Sequence, residues 1–310
     1  MVTMKIFISK INESWIIDRM KDEFIKNNED IITNNIKEAD IIWIIAPWLW
    51  RKIPKKHLKN KIVLCSVHHL EDKDFSGKNL KEFYKRDNYV NIYHTISEKS
   101  KKQIQEITNK KIISIPFWIN EKIFYEIKEK EHLRNKFGLS NKDFVIGSFQ
   151  RDTEGSDLKS PKLIKGPDRF LEIAKYYNSI EENFIVLLAG YRRQYLINHL
   201  EKNNIRYKYI EMVDFKILNE LYNCLDLYIV TSRVEGGPQA ILECGITNTP
   251  IISTDVGVAS EILSKDSIFI MNNFKNAKPN PEFAYKNAKE FTSLKGNDRF
   301  ITMFNEILND

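Results

Sequence analysis

Residues 226–257 read DLYIVTSRVEGGPQAILECGITNTPIISTDVG. The apolar run 227–230 predicts a buried strand. The turn-prone residues 232–238 lead into a helix over 239–243, and the apolar residues 250–253 supply a second strand. Strand, loop, helix and strand make a βαβ unit, from which parallel sheets are built. Parallel sheets take ligands where strand C-termini meet helix N-termini. Glu235 stands at that edge, and Glu243 follows after seven intervening residues. With a helix begun near residue 237, an early acid and one about two turns later face one side. Gly236 and Gly237 permit close backbone approach, and Pro238 suits a first helical turn. An acid and two glycines at a helix start form a site that can meet hydroxyls and phosphate together.

The same alternation extends in both directions. Upstream, strands are expected over 143–149, 183–190 and 207–212, and helices over 167–177, 194–203 and 215–225. A polar loop covers 151–166. Downstream, a strand over 267–271 and helices over 281–292 and 298–308 follow. The first half predicts strands over 4–9, 40–46, 61–67, 90–94 and 111–115, with helices over 15–25, 75–86 and 98–108. Its run DIIWIIA (40–46) is as continuous as a central parallel strand requires. Residues 116–129 are charged and amphipathic and read as the crossing between domains. The expected fold is α/β: two Rossmann-like domains with parallel sheets, 1–125 and 126–310, facing a central cleft. The last helix is able to pack back on the first domain.

Composition narrows the classes of function. The chain has 310 residues, enough for two domains of about 100–200 residues each. At 42% hydrophobic residues it can fill real cores. Cys65, Cys224 and Cys244 lie in apolar surroundings, read as buried free thiols and point to a reducing cytoplasm. The start MVTMKIFIS lacks the pattern of a signal peptide. The most apolar window, 41–50, is about half the length of a membrane helix. Up to residue 125 there are 23 Lys/Arg against 16 Asp/Glu, and beyond it 25 against 26. The basic first half is compatible with peripheral contact at the inner face of a membrane, or with an anionic acceptor. Lysines on solvated faces explain it equally well. The cations are scattered and no recognition motif accompanies them, so nucleic acid is not expected.

The 226–257 stretch resembles the donor-site signature of family 4 retaining glycosyltransferases, which have the GT-B fold. Ser232, Glu235-Gly-Gly-Pro238, Glu243, Cys244-Gly245, Pro250 and Thr254-Asp255-Val256-Gly257 carry the match. IGSFQRDTEG (146–155) and LIKGPDRFLEIA (163–174) extend it upstream. The resemblance covers 143–263 well and the first half loosely. It implies a metal-independent, retaining transfer from a UDP- or GDP-linked sugar to a hydroxyl on a sugar, lipid-linked or glycan acceptor. Such enzymes usually serve polysaccharide, glycolipid or glycoconjugate assembly. The nucleotide sugar is a substrate, and neither a cofactor nor a metal is implied.

The resemblance also implies roles. Arg151 and Lys165 would stabilise the departing diphosphate, with Lys162 as a further cation in that loop and the backbone at Gly236 and Gly237 assisting. Glu235 would orient the donor sugar and Glu243 would hold ribose hydroxyls. Met212 and Val213 would meet the base through main-chain groups, while Asp214 reads as a helix cap. His68 and His69 end a strand of the first half, and VLCSVH favours His68 as the residue that positions sugar or acceptor. Asp72-Lys73-Asp74 fits a metal-binding D-x-D pattern but lies in a charged loop and is set aside. KINESW (10–15) carries no glycine where the family commonly has a glycine-rich turn. A nucleotide-sugar epimerase on the same architecture, or a non-catalytic sugar-nucleotide-binding subunit, remains the alternative reading.

Overall fold

The computed structural model describes residues 4–11 and 16–309. The chain divides into two compact units, Met1–Trp118 with Ser293–Asp310, and Ile119–Thr292. The division falls between two buried residues: Trp118 belongs to the first core and Ile119 to the second. It therefore lies before residue 125, and the last eighteen residues rejoin the first unit.

The first unit runs β1 (Ile6–Ile8), α1 (Ile16–Asn27), β2 (Ile41–Ile44), α2 (Lys55–Asn60), β3 (Ile62–Val67), α3 (Gly77–Asp87), β4 (Ile92–Thr95), α4 (Glu98–Gln105) and β5 (Lys111–Ser114). The strands pair in parallel in the order β1-β2-β3-β4-β5. The expected helix start at Trp15, and most of the KINESW turn, fall on residues 12–15, outside the described residues. Every residue of β2 is fully buried, which accounts for its unbroken apolar sequence. A file of hydrogen bonds threads this apolar sheet. Trp43 Nε1 donates to Ser66 Oγ at 2.8 Å, Ser66 Oγ donates to His94 Nδ1 at 2.8 Å, and His94 Nε2 donates to the Ile115 carbonyl at 2.8 Å. Each buried polar atom along this file thus has a partner, as burial requires.

The second unit opens with α5 (Lys130–Lys136) and β6 (Phe144–Ser148). The expected loop 151–166 contains a small antiparallel hairpin, β7 (Thr153–Glu154) with β8 (Ser160–Pro161), and a 3-10 turn at Leu163–Lys165. There follow α6 (Pro167–Ile180), β9 (Phe184–Ala189), α7 (Gln194–Lys202), β10 (Tyr207–Ile210), α8 (Phe215–Asn223), β11 (Leu227–Val230), α9 (Gln239–Ile246), β12 (Ile251–Thr254), α10 (Ala259–Ile262), β13 (Ile268–Phe269) and α11 (Pro281–Ala288). The parallel sheet has the order β10-β9-β6-β11-β12-β13. Asp214 caps α8, its Oδ1 accepting from Ile217 N at 2.7 Å.

The chain ends in α12 (Ser293–Asn309), which supplies the first unit's core. Phe300 and Phe304 approach Trp43 at ring-centroid distances of 5.3 and 5.4 Å. Phe24 of α1 completes the group, 5.4 Å from Trp43. Burying each such ring contributes about 2–3 kcal/mol. The three cysteines are free and buried. Among the described residues, no helix is long and apolar enough to cross a membrane.

Candidate functional site

In the second sheet, the chain leaves β6 toward β9 on one side and later returns to place β11 on the other. In open α/β sheets such a reversal is where ligands bind, outside the strand C-termini. The loop after β6 carries Gln150, Arg151, Lys162 and Lys165. The loop after β11 carries Ser232 and Glu235.

Lys165 Nζ is ion-paired with Glu235 Oε1. Ser232 Oγ donates to the same carboxylate oxygen at 3.0 Å, and Gln150 Nε2 donates to the Lys165 carbonyl at 3.0 Å. Gly166 allows the two loops to meet. Its φ is +65°, and a Cβ there would stand 2.0 Å from the Thr231 carbonyl oxygen. Only glycine fits that conformation and that space. The Thr231 hydroxyl then donates to the Gly166 carbonyl at 2.8 Å. Arg233 secures the same turn from outside, donating to the Leu163 carbonyl at 2.8 Å and to both oxygens of Asp168.

Glu235 precedes α9 rather than opening it. Pro238 is the N-cap, with an extended ψ of 114°, so the helix begins at Gln239. The segment before it is fixed by packing of backbone on backbone. Gly257 has φ +50°, and a Cβ on it would lie 2.4 Å from the Gly236 oxygen and 2.9 Å from the Gly237 nitrogen. Thr254 Oγ1 donates to the Ser232 carbonyl at 2.7 Å.

Lys162 is half-buried near two other cations. Its pKa is lowered, first by burial and then by Lys165 and Arg151. The three charges therefore repel one another at the loop's edge, an arrangement that a multiply charged anion would relieve. Arg151 is exposed, and its Nε donates to the Thr153 carbonyl at 2.9 Å. Beneath this loop lies Arg193, fully buried. Its Nε donates to Asp152 Oδ2 at 2.7 Å and its Nη1 to the Ser148 carbonyl at 2.6 Å. Burial lowers the guanidinium's pKa, against the pull of Asp152. For Asp152, burial pushes the carboxyl upward while Arg193 holds it down.

Glu243 is buried on α9, and its Oε2 accepts from the Tyr222 hydroxyl at 2.7 Å. Burial, and then Glu243, raise the Tyr222 hydroxyl well above its ordinary pKa, so it remains a donor. Met212 is exposed and Val213 half-buried after β10, and only Val213 packs on the core.

His68 lies in the first unit, at the end of β3, and is 5% exposed. Its Nε2 donates to the Ile45 carbonyl at 2.9 Å. Burial pushes its pKa down to about 3, so the ring is neutral at physiological pH. His69 is more open and stands 4.0 Å from Glu71. Asp74 of the D-x-D pattern is occupied locally, accepting from Glu71 N and Asn79 Nδ2, each at 2.8 Å.

Arg193, Gln150 and Tyr222 were not singled out in the sequence. Arg193 sits in the pair Arg192-Arg193, and nothing in that pair says which residue turns inward. Arg192 adopts φ +57°, and its neighbour Arg193 donates to the carbonyls of Ser148 and Ala189 at the ends of β6 and β9.

Residues 160–305 match the family model for glycosyl transferases group 1. No curated protein sequence is significantly similar to the chain. Among solved structures, Anabaena Alr3699/HepE in complex with UDP-glucose matches with a TM-score of 0.74 and 15% identity, over 98% of this chain and 100% of that one. Its complex with UDP gives 0.75 over the same shares, also at 15% identity. Sucrose-phosphate synthase from Thermosynechococcus elongatus matches with a TM-score of 0.71 and 12% identity, over 97% of this chain and 81% of that one. The fold is thus that of the GT-B glycosyltransferases, and the stretch similar to the group 1 family model covers much of the second unit and runs on into α12.

Proposed function

We propose that this GT-B glycosyltransferase moves a sugar from a nucleoside-diphosphate donor to a hydroxyl acceptor with retention and without a metal. The observation that carries the reading is the Lys165–Glu235 pair, fixed at the switch point by Ser232, Gln150 and the Gly166–Thr231 contact.

In this reading Glu235 orients the sugar through its hydroxyls. Lys165 turns toward the donor's phosphates, joined by Lys162, Arg151 and the backbone N–H groups of Gly236 and Gly237. These donors face the charge that develops as the diphosphate leaves. The mutual repulsion of the three cations is relieved as that charge arrives. Glu243, held in orientation by Tyr222, accepts from ribose hydroxyls. The main chain at Met212 and Val213 meets the base. The acceptor attacks from the face that the phosphate leaves, and a phosphate oxygen takes its proton. His68, neutral and fixed through Ile45, can position a group but cannot supply a proton near pH 7. The Alr3699/HepE complexes contain UDP and UDP-glucose, which favours a UDP-linked donor here. Use in polysaccharide or glycolipid assembly, and work at the inner membrane face, belong to the same proposal.

A thermal-shift screen of nucleoside diphosphates and their sugars tests it, because a specific ligand stabilises the folded state by mass action. UDP is expected to raise Tm saturably. No response to any nucleoside diphosphate would sink the reading. Incubation with donor alone separates the transferase from an epimerase: slow hydrolysis or no change is expected, and an epimerised donor would contradict it. Product anomer by NMR tests retention, and turnover undiminished by EDTA tests metal independence.

A further inference from the structure

The first unit holds a cavity of about 250 Å³ whose walls come from that unit alone. Trp48, His68, Glu71, Asp74, Phe83 and Arg86 line it. Arg86 is 7% exposed, and its Nε has no hydrogen-bond partner among the described residues. The acids flanking it on α3 are engaged elsewhere. Glu82 accepts from Arg51 Nε at 2.9 Å, and Asp87 accepts from the Thr108 hydroxyl at 3.0 Å. The two cavity acids are engaged too. Glu71 pairs with Lys73 at 2.9 Å, and Asp74 accepts from Glu71 N and Asn79. Its guanidinium carbon lies 4.9 Å from the Phe83 ring centre and 5.9 Å from that of Tyr93, and its charge also acts on Glu82 and on the Tyr93 hydroxyl.

A buried guanidinium is costly unless a charge and hydrogen bonds answer it, and ring faces answer only part. Its planar fork matches a carboxylate or a phosphate in two parallel hydrogen bonds. The volume is that of one sugar-sized group rather than a nucleotide. Trp48 adds an exposed aromatic side chain to its lining. We propose that this cavity is an acceptor subsite for a sugar-sized molecule bearing a carboxylate or a phosphate, with Arg86 as its counter-ion. The word acceptor rests on the transferase reading above, whereas the anion site itself does not.

The test uses the full chain with three probes at equal ionic strength: glucuronate, glucose 6-phosphate and glucose. Tryptophan emission reports the cavity, because Trp48 lines it. One or both anions are expected to change the emission saturably while glucose does not. A response to glucuronate alone assigns a carboxylate, and one to glucose 6-phosphate alone assigns a phosphate. Arg86→Met is expected to abolish the anion response, to keep the UDP thermal shift and to leave Tm equal or higher. Should that variant not fold, Arg86→Lys keeps the charge without the fork and is expected to bind the anion at least tenfold more weakly. Silence to both anions, a response to glucose as strong as to the anions, a response that survives Arg86→Met, or unchanged affinity in Arg86→Lys would each overturn the proposal. Loss of the UDP shift alone, with the anion response intact, counts against the donor reading only.

Discussion

The two units treat buried charge in opposite ways. In the second, buried and half-buried cations meet carboxylates: Lys165 with Glu235, Arg193 with Asp152, Arg134 with Asp226. In the first, Arg86 is buried without a carboxylate, and His68 and His94 are buried uncharged. These pairs of the second unit are therefore formed before any ligand arrives, while half-buried Lys162 still stands near Lys165 and Arg151. The first unit buries its histidines uncharged, and among the described residues Arg86 Nε has no hydrogen-bond partner.

The sharpest way to break the comparison is to remove one member of a pair. Asp152→Ala leaves Arg193 charged and buried, and is expected to destabilise the second unit by about 3–5 kcal/mol. Chemical denaturation followed by circular dichroism measures it; a loss under about 1 kcal/mol would mean the pair does not organise the unit. Next comes Lys165→Ala, which leaves Glu235 without its cation and removes a donor aimed at the leaving group. Turnover is expected to fall 10²–10³-fold, about 2.7–4 kcal/mol, with circular dichroism unchanged.

Acid should discriminate between the units. Folded His68 and His94 have pKa values pushed down to about 3 and about 4 by burial. In the unfolded chain each takes up a proton below about pH 6.5. Their stabilisation is thus full above pH 6.5 and is lost as pH falls toward the folded values. Between pH 7 and 5.5 the two together should cost the first unit about 2–3 kcal/mol. All five tryptophans, Trp15, Trp43, Trp48, Trp50 and Trp118, belong to that unit, so their emission follows it alone. A denaturation midpoint by tryptophan emission that does not move over this range would contradict the neutral, buried assignment.

The smallest effect is expected at Arg151. It is exposed, screened by solvent and tied to the Thr153 carbonyl. Arg151→Ala should lower turnover only about tenfold, roughly 1.4 kcal/mol. A loss as large as that of Lys165→Ala would place Arg151 beside Lys165 in the transferring complex and revise this ranking.

The fold was legible wherever burial imposed a pattern. DIIWIIA and NFIVLLAG announced fully buried strands, and β2 and β9 lie there. The helices α2 and α5 were not anticipated, because KKHLKN and KEHLRNK present too few apolar residues to show a period. Of the candidate site, Glu235 could be read from its place before Gly236, and Lys165 only through the family resemblance. The supporting groups could not, since Arg193 and Gln150 act through long-range contacts that leave no local spacing. Arg86 was hidden for a further reason. On a lysine-rich helix its letter is that of any solvated cation, and only packing shows that it faces inward.

The split first unit has a consequence for synthesis. Residues 119–292 are contiguous, so the second unit is fully specified once they have left the ribosome. The first unit is not. Phe24, Trp43 and Trp118 must wait for Phe300 and Phe304 of α12 before their aromatic core closes. At about 5–20 residues per second, the nearly two hundred residues between Trp118 and Phe304 keep that apolar surface incomplete for roughly ten seconds or longer. The half of the molecule made first is thus the half finished last, and during that interval it is the natural client of a chaperone.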